Sequence, residues 1–168
     1  MPDRPVNSLK LSALHPRYEA TNRERVLTEL VPKVVALARQ AKQYDLNFTV
    51  DAEEADRLEL SLDVVDAVLS DDTLAGWDGF GLAIQAYQKR ASAVIDHVAA
   101  LAEAHDRRMM VRLVKGAYWD TELKRAQERG LPDYPVFTRK AMTDLNYEAC
   151  AAQLLGLRPR IIPQFATH

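Results

Sequence analysis

Lys10, Asp51, Gln85 and Arg112 are the residues of this chain whose types and spacing could do chemistry. Each lies in a short apolar segment and points away from that segment's apolar stripe. In residues 46–51, Leu46, Phe48 and Val50 alternate with Asn47, Thr49 and Asp51. In residues 81–87, Leu82, Ile84 and Ala86 alternate with Ala83, Gln85 and Tyr87. In residues 109–115, Val111 and Leu113 alternate with Met110, Arg112 and Val114. In residues 9–14, Leu9, Leu11 and Ala13 alternate with Lys10 and Ser12. A period of two is that of a β-strand with one apolar face. Burying a charge is costly unless it is paired or used. Four such groups on one side of a sheet therefore point to a polar site, with a register-setting ion network as the competing reading. Asp51, Gln85, Arg112 and Lys115 fall near strand carboxyl ends, where α/β sheets and barrels bind their ligands. A strand-end lysine among other cations could also have a lowered pKa, which would suit Lys10 or Lys115 to Schiff-base chemistry of the aldolase type.

Other polar residues carry weaker signals. Asp51, Glu53, Glu54 and Asp56 could be read as metal ligands, but Glu53 and Glu54 open a helix, where acidic side chains favour the dipole, and no metal is expected. His15, His97 and His105 lack ligand-like spacing and are expected to be solvated or capping groups. Tyr118 and Trp119 after Gly116 could pack as loop aromatics or line a ring-binding surface. Arg107 and Arg108 end a helix and need no partner beyond its dipole.

These groups must be positioned by alternating strands and helices. Residues 161–167 form a fifth apolar strand segment. Val26, Leu27, Leu30, Val31, Val34, Val35 and Ala38 repeat at helical spacing, and Thr21 with Glu24 offers a capping box. Pro32 should kink that helix or delay its start. A second helix covers about 56–69, with Leu58, Leu62, Val65 and Leu69 on one stripe. A third covers about 90–105, with Val94, Val98, Leu101 and Ala102 inward. A fourth covers about 120–129, closed by Gly130, and a fifth about 138–155. The order β-α-β-α-β-α-β-α-α-β implies a parallel sheet with right-handed crossovers. Periodicity does not separate a doubly wound sheet from a barrel. Five strands are too few to close a (β/α)8 barrel, which takes roughly 250 residues. The 168 residues have a formal net charge of -2, which leaves no electrostatic footprint for nucleic acid. No apolar run approaches bilayer length, and the first seven residues lack the apolar core of a secretory signal. Cys150 is the single cysteine, so no internal disulfide forms, which fits a reducing compartment.

Five ordered motifs then carry a resemblance. They are Lys10-Leu11-Ser12-Ala13-Leu14-His15-Pro16-Arg17-Tyr18, Asp51-Ala52-Glu53-Glu54, Ile84-Gln85-Ala86-Tyr87-Gln88-Lys89-Arg90, Arg112-Leu113-Val114-Lys115-Gly116-Ala117-Tyr118-Trp119-Asp120 and Pro163-Gln164-Phe165-Ala166-Thr167-His168. Together they resemble the proline dehydrogenase domain of the bacterial bifunctional proline-utilisation flavoenzymes, over about residues 8–168. The resemblance implies an α/β fold: a partial (β/α)8 TIM-type barrel of about five parallel strands with intervening helices, filling 1–168 as one domain. It implies FAD-dependent oxidation of L-proline to Δ1-pyrroline-5-carboxylate, with electrons passed to a membrane quinone. The location would be cytoplasmic, peripheral at the inner membrane face in the full enzyme. The chain would supply the second to sixth barrel strands. It would lack the final helix, whose paired arginines and nearby glutamate hold the substrate carboxylate. It would then be an incomplete fragment, and a non-catalytic truncated product is the alternative.

The resemblance also assigns residues. Asp51 and Arg112 would be catalytic, with Arg112 near the reactive flavin nitrogen and Asp51 orienting it or Lys10. Lys10 would bind the proline carboxylate and Tyr118 would be a pocket wall. Gln85 would bond the isoalloxazine edge, with Ala52 and Val114 also against the cofactor. Lys115, Gly116 and Ala117 would form the turn that meets FAD, and Trp119 would lie by the adenine. Thr138 and Lys140 would approach the phosphate and ribose portion. Thr167 and His168 would contact FAD as a pair. It implies no oligomeric state and no nucleic-acid contact.

Overall fold

The computed structural model describes residues 4–167. Five strands, β1 (Val6–Leu9), β2 (Asn47–Val50), β3 (Phe80–Gln85), β4 (Met109–Val114) and β5 (Ile161–Phe165), form one sheet in sequence order, every neighbouring pair parallel. Strand order decides what alternation left open. A doubly wound sheet reverses its order partway across. Here each crossover steps the same way, and right-handed crossovers then place every helix on one face. The sheet is an arc of a (β/α)8 barrel.

The helices are α1 (Arg23–Gln43), α2 (Leu58–Leu69), α3 (Ala91–Ala104), α4 (Trp119–Glu128) and α5 (Lys140–Gly156). The outward strand residues Phe48, Val50, Leu82, Ile84, Val111 and Leu113 join Leu30 and Val34 of α1, Val64 and Val68 of α2, Ile95 and Val98 of α3, and Leu154 of α5 in one core. Each fully buried side chain of this kind contributes about 1.5–3 kcal/mol. The outer face therefore fixes the arc, and the inner face is free to carry polar groups.

Several local expectations change. The first strand lies at Val6–Leu9 rather than at 9–14, and Leu11–Ala13 is a 3-10 turn. Leu11 is still buried, so the apolar spacing was real, but a turn buries it as well as a strand would. The fifth strand stops at Phe165. The Thr21–Glu24 capping box does not form: a 3-10 turn, Ala20–Asn22, leads into α1, and the helix cap at Asn22 makes no side-chain bond. Pro32 does not delay α1. It sits on the exposed side, where the carbonyl it leaves unpaired stays open to water. The inward residues of α2 are Leu60, Val64, Val65, Val68 and Leu69, with Leu58 and Leu62 half-buried. That segment is apolar on both flanks of its stripe, so periodicity alone did not fix the face. Gly130 closes α4 as expected, at φ +61°, with its N–H on Gln127 O and the Leu131 N–H on Ala126 O.

His15, expected to be solvated or capping, and Arg107, expected to need only a helix dipole, both find specific partners. His15 is buried, its Nδ1 accepting from the Arg17 N–H and its Nε2 3.0 Å from Glu29 Oε2, so the proton sits on Nε2. Arg107 is buried as well and donates to the Leu69 and Asp71 carbonyls, capping the end of α2 rather than its own helix.

Candidate active site

The inner face converges at the strand carboxyl ends. Asp51 follows β2 directly, with its N–H on Leu9 O at 2.8 Å. Arg112 projects from the middle of β4, opposite Ala83 of β3 in register. Its Nη2 donates to Asp51 Oδ1 and its Nη1 donates to Ser8 Oγ at 3.0 Å on β1. In a flat sheet β1 and β4 would lie about 14 Å apart, three strand spacings, which is beyond an arginine's reach. The contact exists because the arc curves, and because Ala83 leaves room beneath the guanidinium. Of the two partners open to Asp51, the fold selects Arg112. Lys10, just past β1, instead places its ammonium 5.8 Å from the Tyr118 ring centroid. The Tyr118 phenol, with smaller contributions from Glu53 and Asp51, holds the Lys10 pKa above its ordinary value.

Gln85 ends β3 and is 3% exposed, so its amide is not free for solvent. Its Nε2 donates to Glu53 O at 2.8 Å and its Oε1 accepts from the Ala117 N–H at 3.1 Å. It ties the loop after β2 to the loop after β4, and one amide hydrogen remains for anything above it. Lys115 leans outward to Asp144 of α5 at 2.6 Å, and Lys140 shares that carboxylate at 2.5 Å. Asp144 raises the pKa of Lys115. Schiff-base chemistry needs a neutral amine; the neighbours of Lys10 and Lys115 hold both protonated, which counts against the aldolase alternative.

Gly116 has φ +151°, and a Cβ there would come within 2.3 Å of the Tyr87 ring. Only glycine lets this turn lie flat against the aromatic floor. The resulting cleft of about 330 Å³ is lined by Lys10, Asp51, Ala52, Gln85 and Arg112 on one side and by Val114 to Tyr118 on the other, with Ala166 after β5. That volume is within the usual range for a small-molecule site.

Trp119, Thr138, Lys140 and Thr167 are exposed and outside that lining. Trp119 Nε1 donates to Phe137 O at 2.9 Å, which brings the indole beside Thr138. The 137 segment is itself held by the Phe137 N–H on Tyr87 O at 2.8 Å. Trp119, Thr138 and Lys140 thus lie together by the start of α5, and Thr167 follows β5. His168 lies outside the described residues.

The acidic run is engaged by arginines rather than by a helix dipole. Glu53 and Glu54 pair with Arg57, Glu54 also with Arg125, and Asp56 with Arg125 and Arg129. Four contributors were missed from sequence. Ser8 shares the phase of Lys10 and would have been found had the first strand been started at Val6 rather than Leu9. Glu53 accepts the Ser12 N–H at 3.0 Å, Asp144 holds two lysines, and Glu122 reaches Ala55. Local spacing signals only the Lys140–Asp144 pair, four residues apart on α5; the Lys115 contact of Asp144 and the contacts of Glu53 and Glu122 carry no such mark.

The family model described as Proline dehydrogenase matches residues 2–168. The bifunctional protein PutA of Salmonella typhimurium is 56% identical over 98% of the chain, and that of Rhizobium meliloti 54% identical over 98%. The chain spans only 12% and 13% of the length of these relatives. Among solved structures, a variant of Bradyrhizobium japonicum proline utilization A matches the whole chain at TM-score 0.99 and 77% identity, over 17% of that chain. Proline utilization A from Bdellovibrio bacteriovorus matches 96% of the chain at TM-score 0.91 and 32% identity, again over 17% of its own length.

Proposed function

The chain belongs to the proline dehydrogenase family, and on that premise we propose that its concave face is part of a site that oxidises L-proline to Δ1-pyrroline-5-carboxylate with FAD, the electrons passing on to a quinone. One observation carries this reading: Arg112 is locked across the floor of the cleft between Asp51 and Ser8. A fixed cation of that kind stabilises negative charge that develops on a group above it.

The residues present fit a flat, anionic cofactor. Gly116 offers backbone without a side chain, Arg112 supplies a cation, and Gln85 keeps one amide hydrogen for a ring edge. FAD, when bound, supplies the acceptor for the two electrons that leave proline. Val114, Ala117 and Ala52 would pack against it, with Trp119, Thr138 and Lys140 toward its far portion and Thr167 also in contact with it. Lys10, held protonated, would take the proline carboxylate as a charge-assisted bond. The Tyr118 ring, fixed beside Lys10, would wall the pyrrolidine and exclude water. Asp51 keeps the Arg112 guanidinium in one orientation.

The arc has open flanks. Among the described residues, β1 and β5 each lack a neighbour on one side, and Phe165, Leu145 and Leu155 are 40%, 61% and 49% exposed. Barrels remove such edges by closing. These flanks support the view that the 168 residues act as a portion of a larger barrel.

The test is anaerobic mixing of the flavin-loaded intact protein with proline, following loss of the yellow absorbance. Bleaching by proline is the expected result, with none from residues 1–168 alone. An intact protein that stays yellow with saturating proline would overturn the assignment.

A further inference from the structure

We propose that Glu122 is a positioning residue that locks the two catalytic loops together; this rests on the proline-oxidising reading of the cleft. Glu122 lies in the first turn of α4, where an acidic side chain could serve the helix dipole from the surface, as the exposed Asp120 does. Yet Glu122 is 4% exposed. Its Oε1 accepts the Ala55 N–H at 2.6 Å, from the loop that begins at Asp51. Burial raises its pKa, against the Ala55 N–H bond and the Arg125 charge, which favour the carboxylate.

The geometry gives the reason. Among the contacts that grip the loop from Asp51 to Ala55 are those of Asp51 with Arg112, Glu53 O with Gln85 Nε2, and the Ala55 N–H with Glu122, beside the Glu54–Arg125 pair and the Arg90 Nη2 bond to Ala55 O. The loop after β4, which carries Gly116 and Tyr118, is gripped at Ala117 by the same Gln85 and continues into Glu122. One cross-link between two loops is a pivot. Those at Gln85 and Glu122, with the Arg125–Glu54 pair beside the latter, fix their relative rotation, and with it the placing of Asp51 and Arg112 against Tyr118 and Lys10. Glu122 touches none of the reacting groups and acts through Ala55.

The role needs an acceptor oxygen at the right reach, which a glutamine supplies and an alanine or the shorter aspartate does not. In the intact flavin-loaded protein, Glu122→Ala and Glu122→Asp should lower kcat/KM for proline about tenfold per flavin-loaded molecule, the order expected for a displaced catalytic loop. Glu122→Gln should stay within about twofold of wild type. Hydrogen exchange at the Ala55 amide should be fast in the alanine variant and slow in the glutamine variant. Wild-type kcat/KM in folded Glu122→Ala, even with a lowered melting temperature, would make Glu122 merely structural and overturn the proposal. So would Glu122→Gln failing as badly as Glu122→Ala. A wild-type protein that ignores proline overturns the function itself, and the exchange data then report the Ala55 bond separately.

Discussion

Asp51 should act on catalysis through Arg112, and a double-mutant cycle measures this directly. The two side chains are each 27% exposed, between the surface and interior cases. Exposed pairs contribute about 0.2–1 kcal/mol and the breaking of buried ones costs about 3–5 kcal/mol, so a coupling of about 1–2 kcal/mol is expected here. Arg112 keeps a second contact at Ser8, which holds the value toward the lower end. Arg112→Met removes a fixed cation from the cleft floor and should slow flavin reduction by proline about 100-fold, the usual loss for one preorganised electrostatic donor. Asp51→Asn keeps an oxygen that can accept from the guanidinium but loses the charge. It should cost about tenfold, or roughly 1.4 kcal/mol. Once Arg112 is gone, Asp51→Asn should cost little more, so the double variant should also sit near 100-fold rather than near 1000-fold. The assay is stopped-flow reduction under saturating proline, with flavin content and circular dichroism confirming that each variant is loaded and folded. A double variant near the product of the single effects would refute the reasoning, because Asp51 would then be acting independently of Arg112.

Other consequences are separately checkable. Gly116→Ala must strain both the backbone at φ +151° and the contact with the Tyr87 ring, at a cost of roughly 1–3 kcal/mol. It should lower the melting temperature and loosen bound flavin, and unchanged flavin retention would place the turn away from the cofactor. Lys115, and then Lys140, hold the Asp144 pKa below its ordinary 3.8. A depressed carboxylate stabilises the fold above its unfolded pKa and loses that contribution as pH falls through the folded value. The melting-temperature gap between wild type and Asp144→Asn should therefore be present near pH 7 and shrink as pH falls below the ordinary carboxylate value of 3.8. A gap that is constant across that range would mean the lysine contacts do not stabilise the folded chain.

The sequence by itself determined what depends on neighbours along the chain. Period-two alternation around Asp51, Gln85 and Arg112 placed three strands and showed which face is polar, because strand faces follow from local geometry alone. Gly130 marked a helix end for the same reason. Motif order gave the family, and with it Lys10, Asp51, Ala52, Gln85, Arg112 and residues 114–118, which line one cleft, as well as Trp119, Thr138, Lys140 and Thr167, which lie outside it. Tertiary structure decided whatever depends on residues far apart in the chain. Sequential strand order, which separates a barrel arc from a doubly wound sheet, is a matter of which strands meet. Arg112 finds Asp51 and Ser8 across 61 and 104 residues only because the sheet curves. Lys10 left the strand it was assigned to because Leu11 can be buried by a turn as well as by a ladder. Glu122 has no periodic signature for its partner, a backbone N–H 67 residues away. The four-residue spacing of Lys140 and Asp144 records only one of Asp144's two partners, not Lys115, 29 residues away.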